Sequence, residues 1–232
     1  MFVEVKNAVK KYGEGESLIK AMDNVDFGTE KGEITVILGP SGSGKSTLLN
    51  MIGGIDRLDS GTIKIGDTVI TDLKKGGLTD YRRRYVGFVF QSYNLIPDLT
   101  VRENVEVVAD ISKDPLDIDK LLETLDLIKH KHKFPRELSG GQQQRCAIAR
   151  ALVKNPDILL CDELTGALDS KSSRDVLKML SRVNRDYGTT VIIITHNEGI
   201  AGMADRIIRI HDGKIRLNEL NKDKKSVDEL DI

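Results

Sequence analysis

Residues Gly39–Ser46 read GPSGSGKS, a glycine-rich loop closed by a lysine and a hydroxyl. The spacing suits phosphate, because glycines allow tight turns and close backbone approach, so that consecutive N–H groups can converge on one anion. The loop lies between the apolar runs Ile34–Leu38 and Thr47–Ile52. That order predicts strand, loop and helix, with the positive end of the helix aimed at the same anion. Gly39, Pro40, Ser41, Gly42, Ser43, Gly44 and Thr47 would wrap the phosphates. Lys45 would reach the β- and γ-phosphates, and the Ser46 hydroxyl would hold Mg²⁺. The implied ligand is a nucleoside triphosphate.

Two further clusters refine the chemistry. Asp162 and Glu163 close the apolar run Ile158–Cys161. A buried parallel strand ending in two acids places them at the carboxyl edge of a sheet, where open α/β folds bind ligands. Asp162 would face Mg²⁺ through its water shell, and Glu163 would orient or deprotonate a water in line with the γ-phosphate. The run Leu138–Arg145, LSGGQQQR, opens a stretch that is apolar at helical spacing up to Val153. Ser139 and two glycines ahead of a helix make a second anion-accepting N-terminus. One nucleotide cannot readily use two such sites in one small domain. A head-to-tail pair of copies could, each nucleotide lying between the phosphate loop of one and the serine-glycine turn of the other.

With these motifs in this order, the chain resembles the ATP-binding subunit of ABC transporters, from about Phe2 to Arg216. Within that family the likeness is to the lipoprotein-releasing, macrolide-export and peptide-antibiotic resistance group. It is carried by Gly39–Asn50, Gly53–Asp56, Gly87–Pro97, Leu99–Val105 and Thr165–Ser170. The resemblance implies an α/β P-loop NTPase of the ABC ATPase fold, with a parallel core sheet, an antiparallel β lobe and a helical subdomain. It implies that Tyr12 stacks on adenine and that Gln91 touches Mg²⁺ and the attacking water. Ser139, Gly140, Gly141 and Gln142 match the signature turn, Ala167–Asp169 the loop crossing the dimer interface, and His196 the γ-phosphate switch. The implied activity is ATP hydrolysis with Mg²⁺, in a homodimer formed on ATP binding. The implied partner is an integral membrane permease, whose short cytoplasmic helix would seat beside Tyr93, Leu95, Ile96 and Leu99. The implied place is the cytoplasm, peripheral on the inner face of the cell membrane. Export or extraction of a peptide, lipoprotein or drug-like substrate follows, the alternative being a mechanotransducing membrane complex that transports nothing. In one respect the chain departs from the family: proline usually follows the catalytic glutamate, and here Leu164 stands there. Leucine leaves φ free and is expected to make that segment looser and more apolar.

Composition sets limits. The chain has 232 residues, enough for a substantial core, with Lys+Arg 35 against Asp+Glu 36 and a formal charge of −1. No basic face for nucleic acid is advertised. The two cysteines, Cys146 and Cys161, lie inside apolar runs and match neither a disulfide framework nor a zinc site, as expected in a reducing compartment. No run approaches the roughly 18–20 apolar residues of a membrane span. A single phosphate loop, a single signature and no sustained heptad repeat argue against a tandem ATPase working on ribosomes or DNA.

The elements that must position these residues can also be read. Ile34–Leu38, Val86–Phe90, Ile158–Asp162 and Thr190–Thr195 are core strands, and Phe2 to about Phe27 holds short strands broken at Gly13–Ser17. Thr62–Ile70 is a hairpin on Gly66-Asp67, and Arg206–Arg216 a closing hairpin on Asp212-Gly213. Val101 to about Lys133 reads as helical. The expected organisation is one nucleotide-binding domain over 1–216, its helical subdomain at about 92–150, and a charged extension over 217–232 that is a short helix or a loose tail. His130, His132 and His211 are expected to be solvated.

Overall fold

The computed structural model describes residues 1–232 apart from the side chain of Glu16. Strands β1 (Val3–Tyr12) and β2 (Ile19–Thr29) pair antiparallel. β3 (Ile34–Leu38) enters the core and leads through the glycine loop to α1 (Lys45–Ile52). β4 (Ser60–Ile65) and β5 (Thr68–Val69) form the expected hairpin, and α2 (Lys75–Tyr85) and β6 (Val86–Val89) follow. The helical part holds α3 (Val101–Ala109), α4 (Ile118–Thr124) and α5 (Gly140–Leu152). The chain returns through β7 (Ile158–Asp162), α6 (Ser170–Tyr187), β8 (Thr190–Thr195), β9 (Arg206–His211) and β10 (Lys214–Leu220). Among the described residues, no helix is long and apolar enough to cross a membrane.

The strands form two sheets. The smaller is antiparallel, in the order β2-β1-β4-β5; the larger runs β10-β9-β3-β8-β7-β6 and is parallel except for β10. Every residue of β3 and β8 is buried, which is why these strands read as unbroken apolar runs rather than alternating ones. Their register lines up the carboxyl ends: Leu38 pairs with Thr195 and Arg209, Asp162 with Ile194, and Val89 with Cys161. The residues just beyond Leu38, Val89, Cys161 and Thr195 therefore emerge together on one edge of the sheet, where the phosphate loop also begins.

Caps stop and start the helices where the site needs them. Gly44, at φ 102°, turns the chain into α1, and a Cβ there would collide with the Ala21 carbonyl. Thr100 and Glu103 form a capping box on α3, and Ser139 and Gln142 form one on α5. Asp169 caps α6 by accepting from the Ser172 amide at 2.9 Å, and Gly188, at φ 66°, ends it.

The structure departs from the sequence reading in three places. The helical reading of Val101–Lys133 breaks between Ala109 and Ile118, where Pro115 cannot continue a helix and Asp117 caps the next. α2 is not foreseen, because Gly76 and Gly77 in its first turn hide its helical pattern. The segment 217–232 is not a loose tail: β10 continues to Leu220, the only helix after it is the short turn Val227–Glu229, and Val227 and Leu230 are buried against the core. The closing turn Asp212-Gly213 is as expected, with both residues at positive φ.

Candidate active site

The sheet edge opens into one cleft of about 670 Å³. Its lining includes Tyr12, Lys45, Ser46, Gln91, Glu163 and His196, together with Asp162, Thr47 and the loop residues Ser41, Gly42 and Gly44. The structure thus brings together most of the residues singled out by sequence. Within the loop Gly42 lies at φ 77°, and a Cβ on Gly39 would strike the Ile210 carbonyl, so the loop presses its backbone against β9. Lys45, only 6% exposed, donates from Nζ to the carbonyls of Gly39 at 2.7 Å and Pro40 at 2.9 Å, which fixes its ammonium over the loop. The Ser43 hydroxyl is buried inside the loop with no partner among the described residues.

The acidic pair sits opposite. Burial first, and then the Glu163 charge, push the Asp162 carboxyl above the ordinary carboxylate value, against the opposing pull of the Ser46 hydroxyl and Lys45. Ser46, Gln91 and Asp162 all line this cleft. A hydroxyl, an amide and a carboxylate form an oxygen donor set suited to a hard cation such as Mg²⁺. Glu163 takes φ 47°, an uncommon backbone for a non-glycine residue, secured by bonds from its N–H to the Ile194 carbonyl and from the Gly166 N–H to its own carbonyl. That turn aims Glu163 Oε2 at His196 Nδ1, 2.9 Å away, with Thr195 Oγ1 at 3.5 Å. His196 is 67% exposed at the cleft mouth. Leu164 does not loosen the segment: it is 3% exposed and buried in the core, anchoring the turn that carries Glu163.

At the other end, the Tyr12 hydroxyl donates to Asp56 Oδ2 at 2.9 Å, and the Lys10 ammonium lies 5.0 Å from the ring centroid. The ring is pinned while 43% of the residue stays exposed. Asp56 has no role in the sequence reading; its signal is only that it ends the quoted run Gly53–Asp56.

The signature residues are elsewhere. Ser139, Gly140, Gly141 and Gln142 do not line the cleft. Ser139 N–H donates to Gln142 Oε1 at 3.0 Å, and Gln142 N–H to Ser139 Oγ at 3.3 Å. With its oxygen so engaged, Gln142 turns its amide nitrogen to His130 Nε2 at 3.2 Å. His130 must accept there and so be neutral. The histidine expected to be solvated therefore steadies the signature turn. Its Nδ1 is buried, and its pKa is held below the ordinary value by burial, then by Lys133, Arg145 and Lys129. No sequence pattern pairs residues 130 and 142, because a short irregular turn sets their contact. Arg150, on the same helix, donates to the carbonyls of Asn94 at 2.6 Å and Tyr93 at 3.1 Å, clamping the segment after Gln91.

A family model for the ABC transporter matches residues 22–166. The chain belongs to that family. It is an ABC ATPase. The uncharacterized ABC transporter ATP-binding protein MJ0796 of Methanocaldococcus jannaschii is 42% identical over 226 residues, covering 94% of this chain and 96% of the relative. A solved dimeric structure of MJ0796, in a post-hydrolysis state with ADP and Pi, matches with a TM-score of 0.84 at 41% identity, over 94% of this chain and 98% of that one. The bacitracin export ATP-binding protein BceA of Halalkalibacterium halodurans is 40% identical over 218 residues, or 92% and 86% of the two chains. A putative ABC transporter ATP-binding protein of Mycoplasma genitalium, MG065, is 45% identical over 231 residues, which is 98% of this chain but 50% of that protein. The chain thus spans about half the length of that Mycoplasma relative and of its Mycoplasma pneumoniae homologue. The site's family, fold and ATP-binding class agree with the reading from sequence.

Proposed function

We propose that this ABC ATPase dimerises head to tail on ATP, hydrolyses it at two interfacial sites, and drives an integral membrane permease from the cytoplasmic face. Residues 1–216 form the nucleotide-binding unit in this reading, with helices at about 92–150 and an extension over 217–232. The observation that carries it is the absence of Ser139–Gln142 from the cleft that holds every other ligand-facing motif. A signature turn built at a helix N-terminus but outside its own nucleotide cleft is complete only opposite a second copy. That the related MJ0796 cassette was solved as a dimer with ADP and Pi supports pairing of two copies.

Within one site, Tyr12 stacks on the adenine, the loop amides and Lys45 hold the phosphates, and Ser139 of the other copy faces the γ-phosphate. Ser46, Gln91 and Asp162 would hold Mg²⁺, which would supply charge neutralisation for the phosphates. Glu163 orients the attacking water and takes its proton, and His196 keeps Glu163 aligned while reaching the γ-phosphate. The segment Tyr93–Leu99 leaves Ile96 40% exposed beside Gln91, and it is offered to a short helix of the permease. Export of a peptide or drug-like cargo is supported by the likeness to the bacitracin export protein BceA. Recovery of the tagged chain from native membranes, in stoichiometric complex with an integral membrane protein that stimulates its ATPase, is the expected result. Full activity confined to chain free of any such protein would refute the coupling.

A further inference from the structure

We propose that residues 221–232 are a clip fastening the turn that carries His196 to α6, with Arg174 as the positioning residue at its centre. The inference rests on the reading of His196 above and assigns a role to a segment outside the cleft.

The segment is charged, and composition alone would leave it disordered. It is instead anchored on two sides. Toward α6, Arg174 Nη1 donates to three carbonyls, of Leu230 at 3.0 Å, Asp228 at 3.1 Å and Val227 at 3.3 Å. These carbonyls belong to a single short turn, Val227–Glu229, and to Leu230, which ends it. Lys178, one helical turn on, pairs with Asp228 at 2.5 Å. Ser226 and Glu229 cap the turn, and Val227 and Leu230 are buried beneath it.

Toward the histidine, the anchor is the short helix Glu198–Met203, which begins two residues after His196. Asn221 Nδ2 donates to the carbonyls of Ala204 at 3.0 Å and of Ala201 and Gly202 at 3.3 Å, and Lys225 N–H to the Gly202 carbonyl at 2.8 Å. The fit leaves no room for side chains: a Cβ on Gly199 would run into the Asp231 carbonyl, and one on Gly202 would lie 2.7 Å from Leu230 Cδ2. The same segment therefore grips both α6 and the short helix that starts beyond His196. His196 itself is mostly exposed and reaches Glu163 through one 2.9 Å contact, so its backbone must be fixed from behind. Bonds from Asn197 N–H to Thr195 Oγ1 at 3.1 Å and from Gly199 N–H to Asn197 Oδ1 at 2.9 Å shape the turn locally, and the clip braces that turn against α6.

Steady-state kcat and KM for MgATP, with thermal melting, test the clip in the full chain using Arg174→Ala, Leu230→Asp, His196→Ala and the double variant Arg174→Ala with His196→Ala. Arg174→Ala and Leu230→Asp should lower kcat about tenfold with KM within about twofold, given that a misplacement of about 1 Å can cost on the order of a hundredfold. Arg174→Lys should recover part of the loss. In the double variant, Arg174→Ala should add almost nothing to His196→Ala, because both act through one group. Unchanged kcat in Arg174→Ala and Leu230→Asp, while His196→Ala is impaired, overturns the clip and leaves the His196 reading standing. Unchanged kcat in His196→Ala overturns both. Multiplying losses in the double variant, or a fall in kcat that merely tracks melting, shows that the segment only stabilises the fold and also overturns the proposal.

Discussion

Replacing Glu163 with glutamine separates the site's chemistry from its architecture. Glutamine keeps the shape, and its amide oxygen can still accept from His196 Nδ1, now 2.9 Å from Glu163 Oε2. A hydrogen bond to a charged acceptor contributes about 1.5–3 kcal/mol and a neutral one about 1 kcal/mol, so the contact weakens by about 1 kcal/mol. The exposure of His196 holds that loss toward the low end. Removing a general base is the larger effect, about a hundredfold to ten-thousandfold in rate, or ~2.7–5.5 kcal/mol of barrier. The barrier term wins, so the variant should bind ATP, nearly cease to hydrolyse it, and accumulate as a dimer holding two nucleotides. Phosphate release at saturating MgATP measures the first point, and size-exclusion chromatography with and without nucleotide the second. Adding Ser139→Arg should abolish the dimer and leave ATP binding by the monomer nearly intact. Hydrolysis at the parental rate in Glu163→Gln would refute the assignment of the base. A monomer at high concentration with ATP bound would refute self-sufficient pairing.

Other outcomes follow from the same geometry. Lys45→Ala deletes the ammonium held over the loop and should weaken ATP binding; a change within about threefold, roughly 0.65 kcal/mol, in a titration would contradict the phosphate role. Leu164→Pro removes no backbone hydrogen bond, but it trims a buried side chain and opposes the αL backbone of Glu163. It should cost about 1–3 kcal/mol of stability and change hydrolysis by less than about tenfold, ~1.4 kcal/mol; loss of soluble protein would mean that the turn follows another course. His130 is a lowered-pKa histidine, so the folded state prefers it neutral. The stability it contributes is fully present above the ordinary histidine value and is lost as pH falls through the lowered folded value. His130→Asn retains an acceptor that does not titrate, so its melting temperature should fall less than that of the parent between neutral pH and the acid limit. Parallel melting curves would rule the contact out.

The sequence by itself determined the phosphate loop, the acidic pair and the strands that present them. Gly39–Ser46 is a local motif whose neighbours in the chain are also its neighbours in space. β3 and β8 announce themselves because burial on both faces demands unbroken apolar runs. The proposal of head-to-tail pairing also starts in the sequence, from one anion site too many for one nucleotide. Tertiary structure alone decided the rest. Leu164 reads as a looser linker in the sequence, but the fold offers its side chain a core to enter. His130 and Gln142 meet across an irregular turn with no period to betray them. The charged segment 221–232 is ordered because Arg174, 53 to 56 residues before the carbonyls it meets, supplies a donor to groups that composition would leave to water. Local motifs and burial patterns are written along the chain. Contacts between distant segments depend on packing that closes long loops, and no short stretch of sequence records it.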